Sequence, residues 1–279
     1  SLETIFRGHV DGGGGDHRFA RADVALHEAA HRHAGGHVLH GGSNGAPLRL
    51  GELAEVIESV QNNRVASWFN GERAIVLLSS GNLAITQSLI SMLQESIRAN
   101  GERPSLMNVP NLFEAARHVG DALREVFLRD ADALKAFSIE FSAGFILGGQ
   151  IAGEPPRLFN IYAAGNFIEA TAETPYFQIG ESKYGKPIID RVLKRSSSIS
   201  HAVKCALISM DSTLRSNLSV GLPLDLAVYE EGKFSSDKIV CIDEYNPYFR
   251  MVHETWGERL RQVFDSIEDP AWNGGVTDV

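Results

Sequence analysis

The sequence predicts an α+β fold of four layers, αββα, preceded by an aberrant segment rich in glycine and histidine. Three observations lead there. Strand and helix signals come in blocks: one strand, two helices, a run of strands, two helices, more strands and a last helix. Helices grouped in pairs between antiparallel strand runs cover the outsides of two sheets, whereas a doubly wound parallel sheet alternates strand with helix. The apolar run 74–78 is short, β-branched at its centre and bounded by glycine, as a strand buried on both faces should be. The third observation is a break in composition. Seven of the ten histidines fall between residues 9 and 40, and eleven of the 27 glycines between residues 8 and 51. Such a stretch builds little core.

Three segments are therefore expected: an atypical one over 1–67, the αββα domain over 68–267 and a frayed tail over 268–279. Residues 50–60 read as a short helix inside the first segment. Strand 74–78 is expected to end in a Ser79-Ser80-Gly81 turn, with Asn82 capping a helix over 82–99 whose inner face holds Leu83, Ile90, Leu93 and Ile97. A second helix is expected over 111–137, built on Leu112, Ala115, Val119, Leu123, Val126 and Phe127, with a break near Asp130 to Asp132. Strands follow at 138–147, 157–163, 167–171 and 176–180, helices at 186–193 and 199–215, strands at 218–229 and 238–243, and a final helix at 247–267. His201 and His253 fall in helical patterns and are expected to be structural or surface residues.

Composition narrows the class. With 43% hydrophobic and 22% charged residues and no bilayer-length apolar run, the chain reads as soluble and globular, with no membrane partner. The first thirty residues show no secretory h-region, which fits a cytoplasmic location. Cys205 and Cys241 lie in apolar runs and are expected in the core, not as a disulfide pair. A net charge of −9 argues against nucleic acid as the principal partner, because phosphate binding needs a basic surface.

Two stretches carry possible chemistry. His27-Glu28-Ala29-Ala30-His31 matches H-E-x-x-H, which on a helix presents two imidazoles to zinc with the glutamate as base. His37 stands where metzincins place a third histidine, although Ala34 replaces the usual glycine. Context opposes the zinc reading. Zincins carry a sheet before this helix, and here the 26 preceding residues include Gly12 to Gly15. Neither a metal nor a cofactor is expected. The other stretch is 71–86, joined by two later turns at 180–182 and 216–219, each rich in small hydroxyl residues. A strand running into such a turn before a helix aims backbone N–H groups above the sheet, although three solvated turns would read the same way.

Three long phrases turn this pattern into a resemblance. Gly-Glu-Arg-Ala-Ile-Val-Leu-Leu-Ser-Ser-Gly-Asn-Leu-Ala-Ile-Thr-Gln stands at 71–87, Ile-Gly-Glu-Ser-Lys-Tyr-Gly-Lys-Pro-Ile-Ile-Asp-Arg at 179–191, and Asp-Ser-Thr-Leu-Arg-Ser-Asn-Leu-Ser-Val-Gly-Leu-Pro-Leu-Asp-Leu at 211–226. From Gly71 to about Ile267 the chain resembles the Anbu family of bacterial proteasome-type peptidases. The resemblance implies an Ntn-hydrolase fold and threonine-type peptide hydrolysis, in which the N-terminal residue supplies both nucleophile and base. It also implies a peptide or unfolded protein as substrate and a homo-oligomer, ring or helical, with helix faces such as 82–99 serving as interfaces. By position Gly81 corresponds to the oxyanion-hole backbone N–H, and Ser182, Ser216 and Ser219 to supporting turns, with Glu181 beside them.

One departure from the family is severe. Its members open on a Thr-led strand, followed by an Asp on the next strand and a Lys shortly before the Gly-Glu-Arg turn. The threonine should fall near Arg32 and the lysine near Asn63. Yet Thr4 is the sole threonine before Thr86, and no lysine precedes Lys135. Arg64 is the nearest cation, and its pKa and geometry do not replace a tuned ammonium. Ser1, 80 positions before Gly81, does not open a segment that reads as the family's first strand. The expectation is that 1–67 derives from a shifted reading frame or a mis-joined segment and that the chain as written is inactive. A catalytically dead structural or assembly subunit is the alternative, and the zinc protease a distant third.

Overall fold

The structure, a computed structural model, describes residues 3–9, 38–39, 48–49, 65–99, 101, 103–235 and 239–270; for 3–9, 38–39, 48–49 and 65 it describes the backbone. The expected helix at 50–60 and the H-E-x-x-H stretch lie outside these residues. In chain order the strands begin with β1 (Glu3–His9), β2 (Val38–Leu39) and β3 (Leu48–Arg49), of which β2 and β3 pair with each other. Next come β4 (Val65–Phe69) and β5 (Arg73–Gly81), then helices α1 (Leu83–Arg98) and α2 (Leu112–Ala136). Strands β6 (Ala143–Ile151), β7 (Arg157–Ile161) and β8 (Phe167–Glu169) complete a five-stranded antiparallel sheet in the order β4-β5-β6-β7-β8. Helices α3 (Lys186–Val192) and α4 (Ile199–Ser216) lead to β9 (Gly221–Tyr229) and β10 (Ile239–Ile242), which with β1 form a sheet of order β1-β9-β10. Helix α5 (Pro247–Asp265) follows.

Alternation along the strands creates the layers. Ile75 and Leu77 of β5, Phe145 and Leu147 of β6, and Phe159 and Ile161 of β7 join one buried cluster with Leu89 and Leu93 of α1 and Leu112, Val119 and Leu123 of α2. The intervening residues Val76, Leu78, Ile146 and Leu158 face the other way and meet Tyr229 of β9. On the far side of the second sheet, Leu224, Leu226 and Ile242 pack with Leu207 of α4 and Phe249 of α5. Helices, sheet, sheet, helices: the expected αββα sandwich is the fold. A polar contact ties the sheets together, since the Tyr229 hydroxyl donates to Gln150 Oε1 at 2.6 Å and the Gly232 N–H to the same oxygen at 2.7 Å.

Several local expectations are corrected. Ser79, Ser80 and Gly81 form no turn: they finish β5, paired with Phe145, Gly144 and Ala143, because β6 supplies a ladder partner that the local sequence does not reveal. Helix α2 runs unbroken past Asp130 to Asp132, where the Arg129 guanidinium holds the Asp130 carboxylate through two bonds of 2.7 Å in solvent. Residues 176–180 form no ladder, although Phe177 and Ile179 do pack on the sheet face. On α1 the inner face is Ile85, Leu89, Ile90 and Leu93, with Ile97 packed against it as expected, while Leu83, at the open first turn, is exposed. Phe127 is exposed too and stacks edge-on against Phe141 at 5.0 Å. Cys205 is buried as expected, but Cys241 is exposed, on β10, the edge strand of its sheet. Strand β4, which the sequence pattern did not announce, pairs with β5 along its whole length.

Candidate functional site

Gly81 marks the point where β5 gives way to α1. Its φ is +100°, and a Cβ placed there would stand 2.3 Å from the Ser142 carbonyl oxygen. The chain can then turn sharply into the helix: the Asn82 N–H donates to Ser142 O at 2.8 Å, and the Asn82 side chain accepts from the N–H groups of Ala84 at 2.9 Å and Ile85 at 3.4 Å. Asn82 thus satisfies two of the donors that open α1. Gly180, also at positive φ, approaches the same corner, where its Cβ position lies 3.6 Å from Ser80 Cβ.

From Gly180 the chain runs into a polar relay. Glu181 accepts the Lys183 N–H at 2.8 Å with one carboxylate oxygen and the Asn217 amide at 2.9 Å with the other. Asn217 Oδ1 in turn accepts both the N–H and the hydroxyl of Ser219, at 2.9 and 2.7 Å. Two turns distant in sequence are fastened together at one end of the cavity described below. The Lys183 N–H, with help from the Asn217 amide, holds the Glu181 carboxyl below the ordinary glutamate range. A carboxyl lowered in this way stabilises the fold above its unfolded pKa of about 4.3. That contribution fades as pH falls through the lower folded value. In an NMR titration Glu181 should therefore titrate below ordinary glutamates and move upward in Asn217→Ala. An unchanged midpoint in that variant would show that the amide plays no part.

Both corners open on a cavity of about 710 Å³. One wall is the sheet face carrying Leu78, Ile146 and Leu158, and the opposite wall is Ile189 of α3 with Cys205 and Ser209 of α4. Ser79, Ser80, Gly81, Glu181, Asn217 and Ser219 are among its polar lining residues. Arg157, at the rim, is gripped by Glu169 through two bonds of 2.7 Å, which raises the guanidinium pKa.

Of the residues singled out from sequence, the structure brings Gly81, Glu181 and Ser219 to this cavity. It does not bring Ser182 or Ser216. The Ser182 carbonyl accepts the Lys186 N–H at 3.0 Å ahead of α3, and Ser216 is the exposed last residue of α4, a helical position in place of the expected turn. Asn217, the hub of the relay, was missed. Its one sequence signal is an Asn directly after a helix and two residues before a Ser, which is common at helix ends. Among the described residues no cluster of three His, Cys, Asp or Glu side chains could hold a metal ion. None of their helices is long and apolar enough to cross a membrane.

Two antiparallel sheets face to face, with a helix layer outside each and a cavity where β5 meets α1, define a proteasome-like αββα protein. Solved structures narrow the class. The chain is similar to Anbu (ancestral beta-subunit) from Yersinia bercovieri at 50% identity, over 75% of this chain and 87% of that one, with a TM-score of 0.70. It is similar to an Anbu (Gly-1) mutant from Hyphomicrobium sp. strain MC1 at 45% identity, over 78% and 92%, with a TM-score of 0.70. It is also similar to the helical assembly of the Anbu complex from Pseudomonas aeruginosa at 39% identity, over 80% and 93%, with a TM-score of 0.71. The chain belongs to the Anbu family. No family model matches it, and no curated protein does.

Proposed function

We propose that this chain carries the scaffold of an N-terminal-nucleophile peptide hydrolase but, as written, does not hydrolyse peptides. The carrying observation is the cavity on which Gly81, Glu181 and Ser219 converge, set against a sequence with Thr4 as its sole threonine before Thr86 and no lysine before Lys135. Threonine-type hydrolysis needs a hydroxyl whose proton passes to a free α-amine, and a backbone N–H to receive the negative charge on the carbonyl oxygen. Gly81 is assigned the second role, with Ser219 and, further from the cavity, Ser182 in supporting turns; Ser216, which ends α4, takes no part in a turn. The first role has no occupant in the sequence as written, and residues 1–67 are proposed to be out of frame with the family. The chemistry calls for no metal or organic cofactor, its substrate class is a peptide or an unfolded protein, and the proposed location is cytoplasmic. The full chain should release fluorophore from a fluorogenic peptide at the rate of buffer alone. Turnover that an N-terminal-threonine-directed inhibitor abolishes would overturn the proposal.

The helical assembly formed by the Pseudomonas aeruginosa relative supports homo-oligomerisation as the second part of the function. A chain without its nucleophile would then act as an assembly subunit. One observation in this chain favours that role: its last helix ends in an exposed apolar stripe.

A further inference from the structure

Helix α5 is anchored at its start and bare at its end. Phe249 and Val252 are buried, and His253 Nδ1 lies 2.5 Å from the buried Asp211 carboxylate of α4. From Glu258 to Pro270 every residue is exposed. The helical part of that stretch, eight residues long, spans about 12 Å. A helix end in water normally turns polar on all sides, but this one carries Leu260, Val263, Phe264 and Ile267 at 49%, 59%, 76% and 66% exposure. The N–H of Ile267 donates to Phe264 O at 3.1 Å, so the last turn is closed and all four side chains share one stripe at spacing i, i+3, i+4, i+7.

The charges beside the stripe are segregated. Arg259 and Arg261 precede its midpoint, and Asp265, Glu268 and Asp269 follow it, with Glu258 the one exception. Acidic groups at a helix C-terminus face the negative end of the dipole, and no basic residue in the last turn offsets them. Among the described residues, none of these arginines and carboxylates has an ion-pair partner in its own chain. Arg259 reaches only Gln262, at 2.9 Å.

We propose that this stripe is a self-docking surface, in which α5 of one copy lies antiparallel to α5 of a second. An antiparallel pair centred between Val263 and Phe264 sets Leu260 opposite Ile267 and Val263 opposite Phe264, so the apolar set matches its own reverse. The same alignment sets the arginine turn of each copy against the acidic turn of the other, whereas parallel pairing stacks like on like. The two-fold axis makes the contact isologous, each copy offering the same patch. This surface rests on the self-assembly part of the proposed function and names where copies meet.

Sedimentation of the full chain tests it with two charge-reversed variants, Arg259→Glu with Arg261→Glu, and Asp265→Arg with Glu268→Arg. Each alone should self-associate roughly a hundredfold more weakly than the natural sequence, because every pairing sets like charges together. An equimolar mixture should regain association, since one acidic and one basic stripe fit each other. Phe264→Asp, at a side chain exposed enough to leave folding untouched, should weaken association in the same way. If the natural chain associates but the variants associate equally well, or the mixture fails to recover, the α5 pairing is wrong while self-assembly stands. A natural chain that stays monomeric at all concentrations overturns both.

Discussion

Replacing Gly81 by alanine should lower the unfolding free energy by about 2–6 kcal/mol, of which the left-handed backbone accounts for about 1–3 kcal/mol and the overlap for a similar share. The added methyl must sit 2.3 Å from a backbone carbonyl, and the φ of +100° is strained for any L side chain. The Ser142 carbonyl cannot retreat cheaply, because it accepts the Asn82 N–H that starts α1. Gly71 separates the two costs. It has a φ of +80° with nothing within 4 Å of its Cβ position, so Gly71→Ala should bear only the backbone share. Urea denaturation of both variants measures the difference. Equal losses would mean that the β5–α1 corner relaxes freely and that Gly81 is not held by its surroundings.

Phe145→Ala should cost about 3–5 kcal/mol. Phe145 has no exposed surface and sits at the centre of the face between the five-stranded sheet and helices α1 and α2. Truncation there opens a cavity walled by two elements of regular structure on either side, which leaves little room to collapse. Phe137→Ala, at 79% exposure, should change stability by less than about 0.5 kcal/mol. Calorimetric or denaturant midpoints for the pair provide the check. A small loss at Phe145 would mean that the helix layer moves in to fill the space.

The contrast between Phe145 and Ser79, which face each other in the ladder, shows how far the sequence could be read. Phe145 and Leu77 lie in strand patterns visible from their apolar neighbours, and Leu123 lies in the helical period of α2. The Asn82 cap was visible as well, because a short polar side chain ahead of an apolar helical period has few other uses. Ser79, Ser80 and Gly81 looked like a turn, because small polar residues before a helix carry no record of the strand that will pair with them. At the candidate site Gly81 and Glu181 were recognisable from long family-like phrases, whereas the meeting of Glu181 with Asn217 was not.

What the sequence determined by itself is therefore local: which stretches become strand or helix, which faces are apolar, and that helix pairs flank two sheets. Those properties depend on residues a few positions apart, through backbone preference and the periods of 2 and 3.6. Tertiary structure alone decided that Asn217 reaches Glu181 across 36 positions and that Tyr229 reaches Gln150 across 79. It alone left Cys241 exposed on an edge strand and the end of α5 exposed along its length. Such contacts depend on which layers come to lie against each other, and a hydrogen bond or a bare surface exists only once they do.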